Sequence, residues 1–239
     1  MIDYHCHILP GLDDGSPNME DAIEMARSLQ KVGFTKVYCT PHCITGLYDI
    51  SKAQLLDAVT RLQVALDSKD ICLKLVPGME YYVDDFFFDR LTHPVTLGDT
   101  NLLLFELPPN ADVAILGEVV AQIKNRGLLP LLAHPERFFA ADIYTANSHI
   151  FHSLWRHLFS RKHSSVAVPH ALVEVINLGC FLQADIGSFR GIYGPKVKKI
   201  AFVLREIGAY SYYGTDGHNC LQLENILTNN PYLEHSCTI

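Results

Sequence analysis

The sequence predicts an α/β protein whose parallel strands form a barrel closed by helical crossover connections. Two observations lead to this fold class. Short apolar runs alternate with amphipathic helical segments through the first 140 residues and again near the other end. Ionisable residues follow these apolar runs where each strand is expected to end. With 239 residues, 49% of them hydrophobic, the chain can bury a sizeable core, and we expect a single domain spanning residues 1–239.

About seven strands and their intervening helices can be placed in order. We expect strands at residues 2–7, 34–40, 71–79, 102–106, 128–133, near 180–184 and near 210–214. A first helix begins near Asn18, and a second follows the capping-box signature Ser51-x-x-Gln54. A third runs from about 111 to 126 and is ended by Gly127, and another lies around 195–207.

The stretch from about 140 to 170 interrupts this alternation, and we interpret it as an insertion beside the site opening. It contains Trp155 and five histidines, His149, His152, His157, His163 and His170. A second metal site or a pH sensor is one interpretation, and a polar surface excursion is the other. The polar excursion is the favoured interpretation.

Composition excludes several classes of protein. The formal net charge of −7 argues against a nucleic-acid groove, which needs a basic patch. No apolar run approaches the roughly 18–20 residues of a membrane span, and the first residues lack the pattern of a signal peptide. The seven cysteines are odd in number and show no CxxC spacing, which favours a reducing, cytoplasmic setting.

Nine potential metal ligands lie at predicted strand ends. They are His5, His7, Asp14, His42, Glu80, Glu106, His134, Asp216 and His218. Residues two apart on a strand point to the same face, so His5 and His7 can serve one ion while Cys6 points away. A single polar residue at a strand end is common without any function. Nine of them, at the carboxyl ends of barrel strands, predict a multinuclear metal site instead. Imidazole and carboxylate ligands without thiolate suit manganese, zinc or iron.

The order of these motifs resembles the PHP (polymerase and histidinol phosphatase) superfamily. The matching segments are His5-x-His7, Asp14-Gly15, Thr40-Pro41-His42, Gly78-x-Glu80, Phe105-Glu106, Ala133-His134-Pro135-Glu136-Arg137-Phe138, Gln183-x-x-x-Gly187-Ser188 and Asp216-x-His218. In particular the chain resembles the bacterial PHP-type protein tyrosine phosphatases that accompany capsule and exopolysaccharide tyrosine kinases. The likeness covers nearly the whole chain outside 140–170.

This resemblance implies a distorted, TIM-like (β/α)7 barrel, the PHP fold, holding three divalent metal ions. Manganese is the usual metal, with iron, zinc and magnesium as alternatives. His5, His7, Glu80 and Asp216 would surround one ion. Glu80, Glu106, His134 and His42 would serve a second, and Asp14 and His218 would complete the cluster. The implied substrate is the phosphorylated tyrosine-rich tail of a bacterial membrane kinase, reached from the cytoplasm without membrane insertion. A homo-oligomer is left open.

The implied reaction is hydrolysis of a phosphomonoester by a metal-activated water. We expect Arg137, His42 and Asp14 to act in catalysis, with Arg137 binding the phosphoryl oxygens through paired hydrogen bonds. A salt bridge from Arg137 to Glu136 is the structural alternative. In the tyrosine-phosphatase branch an arginine often follows the last DxH motif. This chain departs from that pattern, since no Lys or Arg follows Arg205.

Other hydrolase classes fit less well. None of the seven cysteines has an Arg six residues later, as a cysteine-dependent phosphatase requires, so we interpret them as core or inert thiols. The GxSxG motif of a serine hydrolase is missing. A PHP phosphoesterase for a small molecule such as histidinol phosphate remains the alternative, and a non-catalytic kinase-binding partner is a third. An aromatic group after Glu80 could line the site or belong to the core, with the core favoured: Tyr81, Tyr82, Phe86, Phe87 and Phe88.

Overall fold

Parallel strands follow one another around the fold in chain order. The computed structural model describes residues 1–139 and 170–236. Its strands are β1 (Ile2–Cys6), β2 (Lys36–Cys39), β3 (His42–Cys43), β4 (Lys74–Pro77), β5 (Glu80–Tyr82), β6 (Leu102–Glu106), β7 (Leu129–Ala133), β8 (Phe181–Asp185) and β9 (Tyr212–Gly214). They form two parallel sheets, ordered β1-β2-β4 and β3-β5-β6-β7-β8-β9.

The two sheets belong to one barrel. In two places a pair of consecutive strands, β2 with β3 and β4 with β5, runs in line with a short break between them. Pro41 has no N–H to donate to the ladder, and it separates β2 from β3. The N–H of Gly78 donates to the carbonyl of Cys39 at 2.9 Å, and the N–H of Glu80 donates to the carbonyl of Pro41 at 3.1 Å. These bonds carry the pairing across both breaks, so β2 with β3 and β4 with β5 each fill one of seven strand positions.

The first and last strands meet and close the ring. The N–H of Asp216 donates to the carbonyl of His5 at 2.7 Å, and that of His7 donates to the carbonyl of Gly217 at 3.0 Å. A Cβ at Gly214 would lie 2.5 Å from the Cβ of His5, so only glycine allows this approach. The predicted TIM-like (β/α)7 barrel is therefore confirmed.

Helices connect the strands and cover the outside of the barrel. They are α1 (Met19–Lys31), α2 (Lys52–Asp67), α3 (Phe87–Arg90), α4 (Ile115–Asn125), α5 (Pro135–Phe138), α6 (His170–Asn177), α7 (Ile186–Arg190), α8 (Pro195–Glu206), α9 (Cys220–Leu227) and α10 (Pro231–Ser236). The Asn18 cap and the Ser51–Gln54 capping box are both present as predicted. The predicted start of α4 at 111 is wrong: the Asp112 side chain accepts the N–H of Ala114 in a turn, and the helix begins at Ile115.

Alternation along the strands divides the core into two parts. Leu102 and Leu104 of β6 belong to a small cluster inside the barrel, whereas Leu103 and Phe105 belong to the large core under the helices. Glu106 has the same parity as Leu102 and Leu104, so it points into the barrel interior at the carboxyl end. The lower interior is thus filled by apolar side chains, and its upper end is polar.

A register irregularity in β1 lies where the His5-x-His7 pair begins. The pairing steps from Asp3 opposite Val37 to Cys6 opposite Cys39, so β1 holds one extra residue. Tyr4 packs on the cluster inside the barrel, while Cys6 belongs to the outer core. The bulge therefore shifts the alternation and brings both histidines to the barrel interior.

The predicted insertion at about 140–170 lies almost wholly outside the described residues. It remains a prediction, as does the assignment of the whole chain to one domain. In the two described ranges, none of the helices combines the length and apolar composition needed to cross a bilayer.

Candidate metal centre

All nine predicted ligands gather at the carboxyl end of the barrel. Within the described ranges their ligand atoms form three overlapping groups, and in each group the atoms lie within 4.8 Å of one another. The groups are His5, His7, Glu80 and Asp216; His7, Asp14, His42 and His218; and His42, Glu80 and Glu106. His134 lies beside the third group, with Nε2 at 3.1 Å from Oε1 of Glu80 and 3.7 Å from Oε2 of Glu106.

The first group is fully buried beneath the others. Nε2 of His5 lies 3.1 Å from Oε2 of Glu80 and 3.2 Å from Oδ1 of Asp216. Nε2 of His7 lies 3.3 Å and 3.1 Å from the same two atoms. Two imidazoles and two carboxylates thus converge on one point that water does not reach.

The two histidines of the first group turn their Nε2 atoms toward each other. Nδ1 of His5 lies 2.9 Å from Oε1 of Gln183, and Nδ1 of His7 lies 2.7 Å from Oδ2 of Asp13. Both oxygens can only accept, so each Nδ1 carries the hydrogen. The two Nε2 atoms face each other across 3.1 Å, with carboxylate oxygens of Glu80 and Asp216 beside them. When both imidazoles are neutral, these Nε2 atoms carry lone pairs that can bind one cation.

Unpartnered oxygens lead to the same conclusion. Oε2 of Glu80 and Oδ1 of Asp216 are buried and make no hydrogen bond with the residues that the structure describes. Burial opposes ionisation of Glu80, but His5 and His42 outweigh it and hold the pKa of this carboxyl well below its usual range. Burial likewise opposes protonation of His5, yet Glu80 and Asp216 raise its pKa overall. The buried carboxylates therefore favour a positive charge beside them, and two imidazoles with two carboxylates are suitable ligands for a divalent cation.

Glu80 connects the first group to the third. Nδ1 of His42 lies 3.0 Å from Oε2 of Glu80 and 3.1 Å from Oε1 of Glu106. With His5, His7 and His134 also within 3.3 Å, this one carboxylate contacts four imidazoles. Burial lowers the pKa of His42, but Glu80 and Glu106 raise it to about 10. A carboxylate with this many neighbours suits a bridge between adjacent cations.

Asp14 and His218 form the open side of the cluster. Oδ1 of Asp14 lies 3.6 Å from Nε2 of His42 and 3.8 Å from Nε2 of His218, and its side chain is 53% exposed. Nδ1 of His218 donates to the carbonyl of Asp216 at 2.9 Å, which leaves Nε2 free to bind a metal. Burial and His7 lower the pKa of His218.

Local backbone strain accompanies two of the ligands. His134 and Asp216 have φ values of 33° and 50°, in the left-handed region that non-glycine residues avoid. Such conformations cost about 1–3 kcal/mol each and persist where surrounding structure enforces them. His134 directly follows β7, and Asp216 lies two residues after the end of β9. The strained backbone thus occurs where each side chain enters the cluster.

Arg137 lies at the edge of the cluster. Its Nη2 donates to Oδ2 of Asp216 at 2.5 Å, to the hydroxyl of Tyr193 at 2.8 Å, and to Oδ2 of Asp185. The alternative salt bridge to Glu136 is not formed. Glu136 instead accepts from the backbone N–H of Asp185 and from the Tyr210 hydroxyl, both at 2.9 Å.

Several residues of the site were not assigned a role from the sequence. Asp13 and Gln183 orient His7 and His5, and Asp185 and Tyr193 hold Arg137. Tyr48 lies at the mouth, where its half-buried ring stacks on His42 with centroids 6.0 Å apart. The adjacent pair Asp13-Asp14 was a usable signal, because one carboxylate of such a pair can bind the metal and the other can orient a ligand.

The remaining sequence interpretations have mixed outcomes. Tyr81 and Phe87 are buried core residues as favoured, whereas Phe86 is exposed and Tyr82 and Phe88 are half-buried. Among the cysteines interpreted as core or inert thiols, Cys72 is not a core residue, because it is exposed in the loop after α2.

Comparison with known proteins identifies the family. The family model for capsular polysaccharide synthesis, CpsB/CapC, matches residues 1–154. The chain belongs to the CpsB/CapC family. Two similar relatives of this CpsB/CapC protein are the tyrosine-protein phosphatase YwqE of Bacillus subtilis and the tyrosine-protein phosphatase CpsB of Streptococcus agalactiae. YwqE is 29% identical over 221 residues, covering 92% of this chain and 78% of the relative. CpsB is 21% identical over 226 residues, covering 92% and 83%.

Solved structures agree with this membership. Crystal structures of YwqE from Bacillus subtilis and CpsB from Streptococcus pneumoniae are described as unique metal-dependent tyrosine phosphatases. The match to this CpsB/CapC chain has a TM-score of 0.80 with 26% identity, over 99% of this chain and 87% of the other. A phosphotriesterase homology protein from Escherichia coli matches with a TM-score of 0.53 and 11% identity, over 98% and 91%, and shows the fold alone. The resemblance to bacterial PHP-type tyrosine phosphatases is confirmed.

Proposed function

We propose that this chain is a metal-dependent phosphomonoesterase that hydrolyses protein phosphotyrosine. The observation that carries the proposal is the pair of facing Nε2 atoms of His5 and His7, with two unpartnered carboxylate oxygens beside them. Relatives named tyrosine-protein phosphatases share this family and fold. A site that gathers cations suits a dianionic substrate.

The cluster would hold three divalent ions, with manganese as the first choice. His5, His7, Glu80 and Asp216 would hold one, and His42, Glu80, Glu106 and His134 a second. Asp14 and His218 would complete the third. Since His7 has only one free nitrogen, it serves one of its two groups. When bound, such ions neutralise phosphoryl oxygens and lower the pKa of coordinated water.

The chain's own residues contribute binding and orientation. Arg137 would donate to a phosphoryl oxygen and offset part of its charge. Asp14 and His42, on the open side, would contact the entering water or substrate. Phenolate is a fair leaving group, since tyrosine has a pKa of about 10, and little acid assistance is needed.

Tyr48 favours an aryl phosphate over an alkyl one. Its ring is half-buried at the mouth and stacked on His42, and burial together with Asp14 raises its pKa, so the hydroxyl stays protonated. An aromatic face at this place offers a stacking surface to a substrate ring.

The proposed substrate is the phosphorylated tail of a bacterial tyrosine kinase that controls polysaccharide synthesis, met in the cytoplasm. Support comes from the family's description in capsular polysaccharide synthesis and from the tyrosine-phosphatase names of relatives. Because the site is recessed at one barrel end, a flexible tail can reach it more readily than a folded surface.

A substrate panel tests the proposal. Metal-free protein reloaded with Mn²⁺ is assayed for phosphate release from phosphotyrosine peptide, phosphoserine peptide and histidinol phosphate. We expect the highest kcat/KM for phosphotyrosine peptide and none without metal. Preference for histidinol phosphate would move the assignment to a small-molecule phosphoesterase. Binding of phosphotyrosine peptide without turnover would indicate a non-catalytic partner.

A further inference from the structure

The guanidinium of Arg137 is held by two residues that are not candidate metal ligands. Asp185 accepts a hydrogen bond from its Nη2, and so does the hydroxyl of Tyr193 at 2.8 Å. The Tyr193 ring also lies beneath the guanidinium, with its centroid 3.9 Å from the central carbon. These contacts restrain Arg137 from two directions.

Asp185 is itself rigidly placed. It is fully buried at the end of β8, and its Oδ1 accepts the N–H of Gly187 at 2.6 Å as the cap of α7. Its backbone N–H donates to Oε1 of the buried Glu136 at 2.9 Å, and Oε2 of Glu136 accepts from the Tyr210 hydroxyl. The carboxylate therefore cannot follow Arg137 if the arginine moves, and it acts as a fixed anchor.

The anchor matters because Arg137 also contacts a candidate metal ligand. Oδ2 of Asp216 accepts from Arg137, while Oδ1 of Asp216 faces His5 and His7. A cation bound at Oδ1 would draw charge from Asp216 and weaken its hold on the arginine. The carboxylate of Asp185 would then keep the guanidinium in place, even with a weaker contact to Asp216. Nε of Arg137 is buried and makes no hydrogen bond among the described residues. The side chain as a whole is 24% exposed, so a ligand at the cluster can still reach part of it.

We propose that Asp185 and Tyr193 are positioning residues that hold Arg137 by Nη2 and by its face, and so fix the guanidinium for a phosphoryl oxygen of the substrate. The inference rests on the proposed function and adds to it the residues that set phosphate affinity. It also explains how one arginine can serve where no Lys or Arg follows Arg205: a preorganised guanidinium loses less entropy on binding.

Asp185→Asn removes the charge but keeps an oxygen for the Gly187 cap. We expect kcat/KM for phosphotyrosine peptide to fall about tenfold, and the inhibition constant of inorganic phosphate to rise by a similar factor, about 1.4 kcal/mol. Tyr193→Leu removes both ring and hydroxyl and has a comparable effect. Tyr193→Phe keeps the ring and has a smaller one.

A double-mutant cycle separates positioning from general damage. If Asp185 acts through Arg137, then Arg137→Ala with Asp185→Asn is no weaker toward phosphate than Arg137→Ala alone. Additive losses, or unchanged phosphate inhibition in Asp185→Asn, would overturn the inference. Should Asp185→Asn fail to fold, the cycle of Tyr193→Leu with Arg137→Ala gives the same decision.

The outcome is distinguishable from failure of the proposed function. If the wild type loaded with Mn²⁺ hydrolyses no phosphomonoester, the proposed function is wrong. Calorimetric titration with inorganic phosphate still decides the inference, because it compares wild type, Asp185→Asn and Arg137→Ala without turnover. Equal phosphate affinity in all three proteins would contradict it.

Discussion

One oxygen of Asp13 links two candidate metal ligands on neighbouring strand positions. Oδ2 accepts from Nδ1 of His7 at 2.7 Å and from the backbone N–H of His42 at 2.9 Å. Burial raises the pKa of Asp13, but His7 outweighs it and the pKa falls below its usual value. Gly15 lets the chain turn closely over His7, since a Cβ there would lie 2.2 Å from the His7 carbonyl. The carboxylate thereby fixes the ring orientation of His7.

Asp13→Asn should weaken metal binding while leaving all nine ligands in place. An amide is a poorer acceptor than a carboxylate, so His7 becomes less basic and less firmly oriented. We expect Mn²⁺ affinity to fall about 10–100-fold, measured by titration of metal-free protein. The exposed Asp57→Asn on α2 is the matched control. Unchanged affinity in Asp13→Asn would mean that Asp13 does not orient His7.

Removing an imidazole from the cluster should abolish most turnover without unfolding the protein. His5→Ala and His134→Ala each delete one ligand, and we expect kcat/KM to fall about 100-fold or more. Circular dichroism checks the fold, and elemental analysis checks the metal content. The exposed His93→Ala should behave as wild type. Rates equal to wild type in both ligand variants, with metals verified, would refute the metal assignment.

Tyr48→Ala should change substrate preference more than turnover in general. Loss of the ring removes the stacking surface at the mouth, worth about 0.5–1.5 kcal/mol. We expect kcat/KM to fall about three- to tenfold for phosphotyrosine peptide and to change little for an alkyl phosphate such as phosphoserine peptide. Tyr48→Phe keeps the ring and should retain the preference. A parallel loss on both substrates would show that Tyr48 supports only the loop structure.

Ser51→Ala should destabilise the fold without affecting the site. Ser51 caps α2 by accepting the N–H of Gln54, and the Gln54 side chain accepts the N–H of Ser51 in return. Loss of such a cap costs about 1 kcal/mol, measurable by urea unfolding. Ser68→Ala at the other end of the same helix removes only an exposed bond to the carbonyl of Ala65 and no N-terminal cap, so it is the control, with a smaller expected loss. A Ser51→Ala midpoint equal to that of wild type would contradict the prediction.

Thiol labelling at pH 8 should separate Cys72 from the buried cysteines. Burial raises the pKa of Cys180 to about 12 and that of Cys43 to about 11, so neither forms appreciable thiolate at this pH. Cys72 is exposed and should react rapidly. Mass spectrometry of labelled peptides identifies the reactive sites, and Cys72→Ser should remove that peptide's label. Fast labelling of Cys180 in the native protein would show that its strand opens readily.

Sequence reasoning located the ligands because strand parity and strand ends are local properties. Glu106 follows Leu102 and Leu104 with a period of two, and this alone places it inside the barrel. The break between β2 and β3 at Pro41 was harder to predict, because backbone hydrogen bonds from Gly78 and Glu80 continue the strand pairing across it. The contacts of Arg137 with Asp185 and Tyr193, 48 and 56 residues away, follow from the tertiary fold and leave no local pattern. The distribution of ligands among ions was likewise beyond the sequence, because it depends on which ring nitrogen each histidine offers.

The cluster can form only after β1 and β9, the first and last strands of the barrel, have come together; this contact is called the seam below. Thr215 and Asp3 bond across 212 residues of sequence, and Asp3 also accepts the backbone N–H of His5. Contacts with so large a sequence separation carry the greatest loop-closure cost and tend to slow folding. His5 can meet Asp216 only after that seam has formed. Divalent cations would therefore favour the closed ring over any partly assembled form, and chelation would act first on the joint between the two terminal strands.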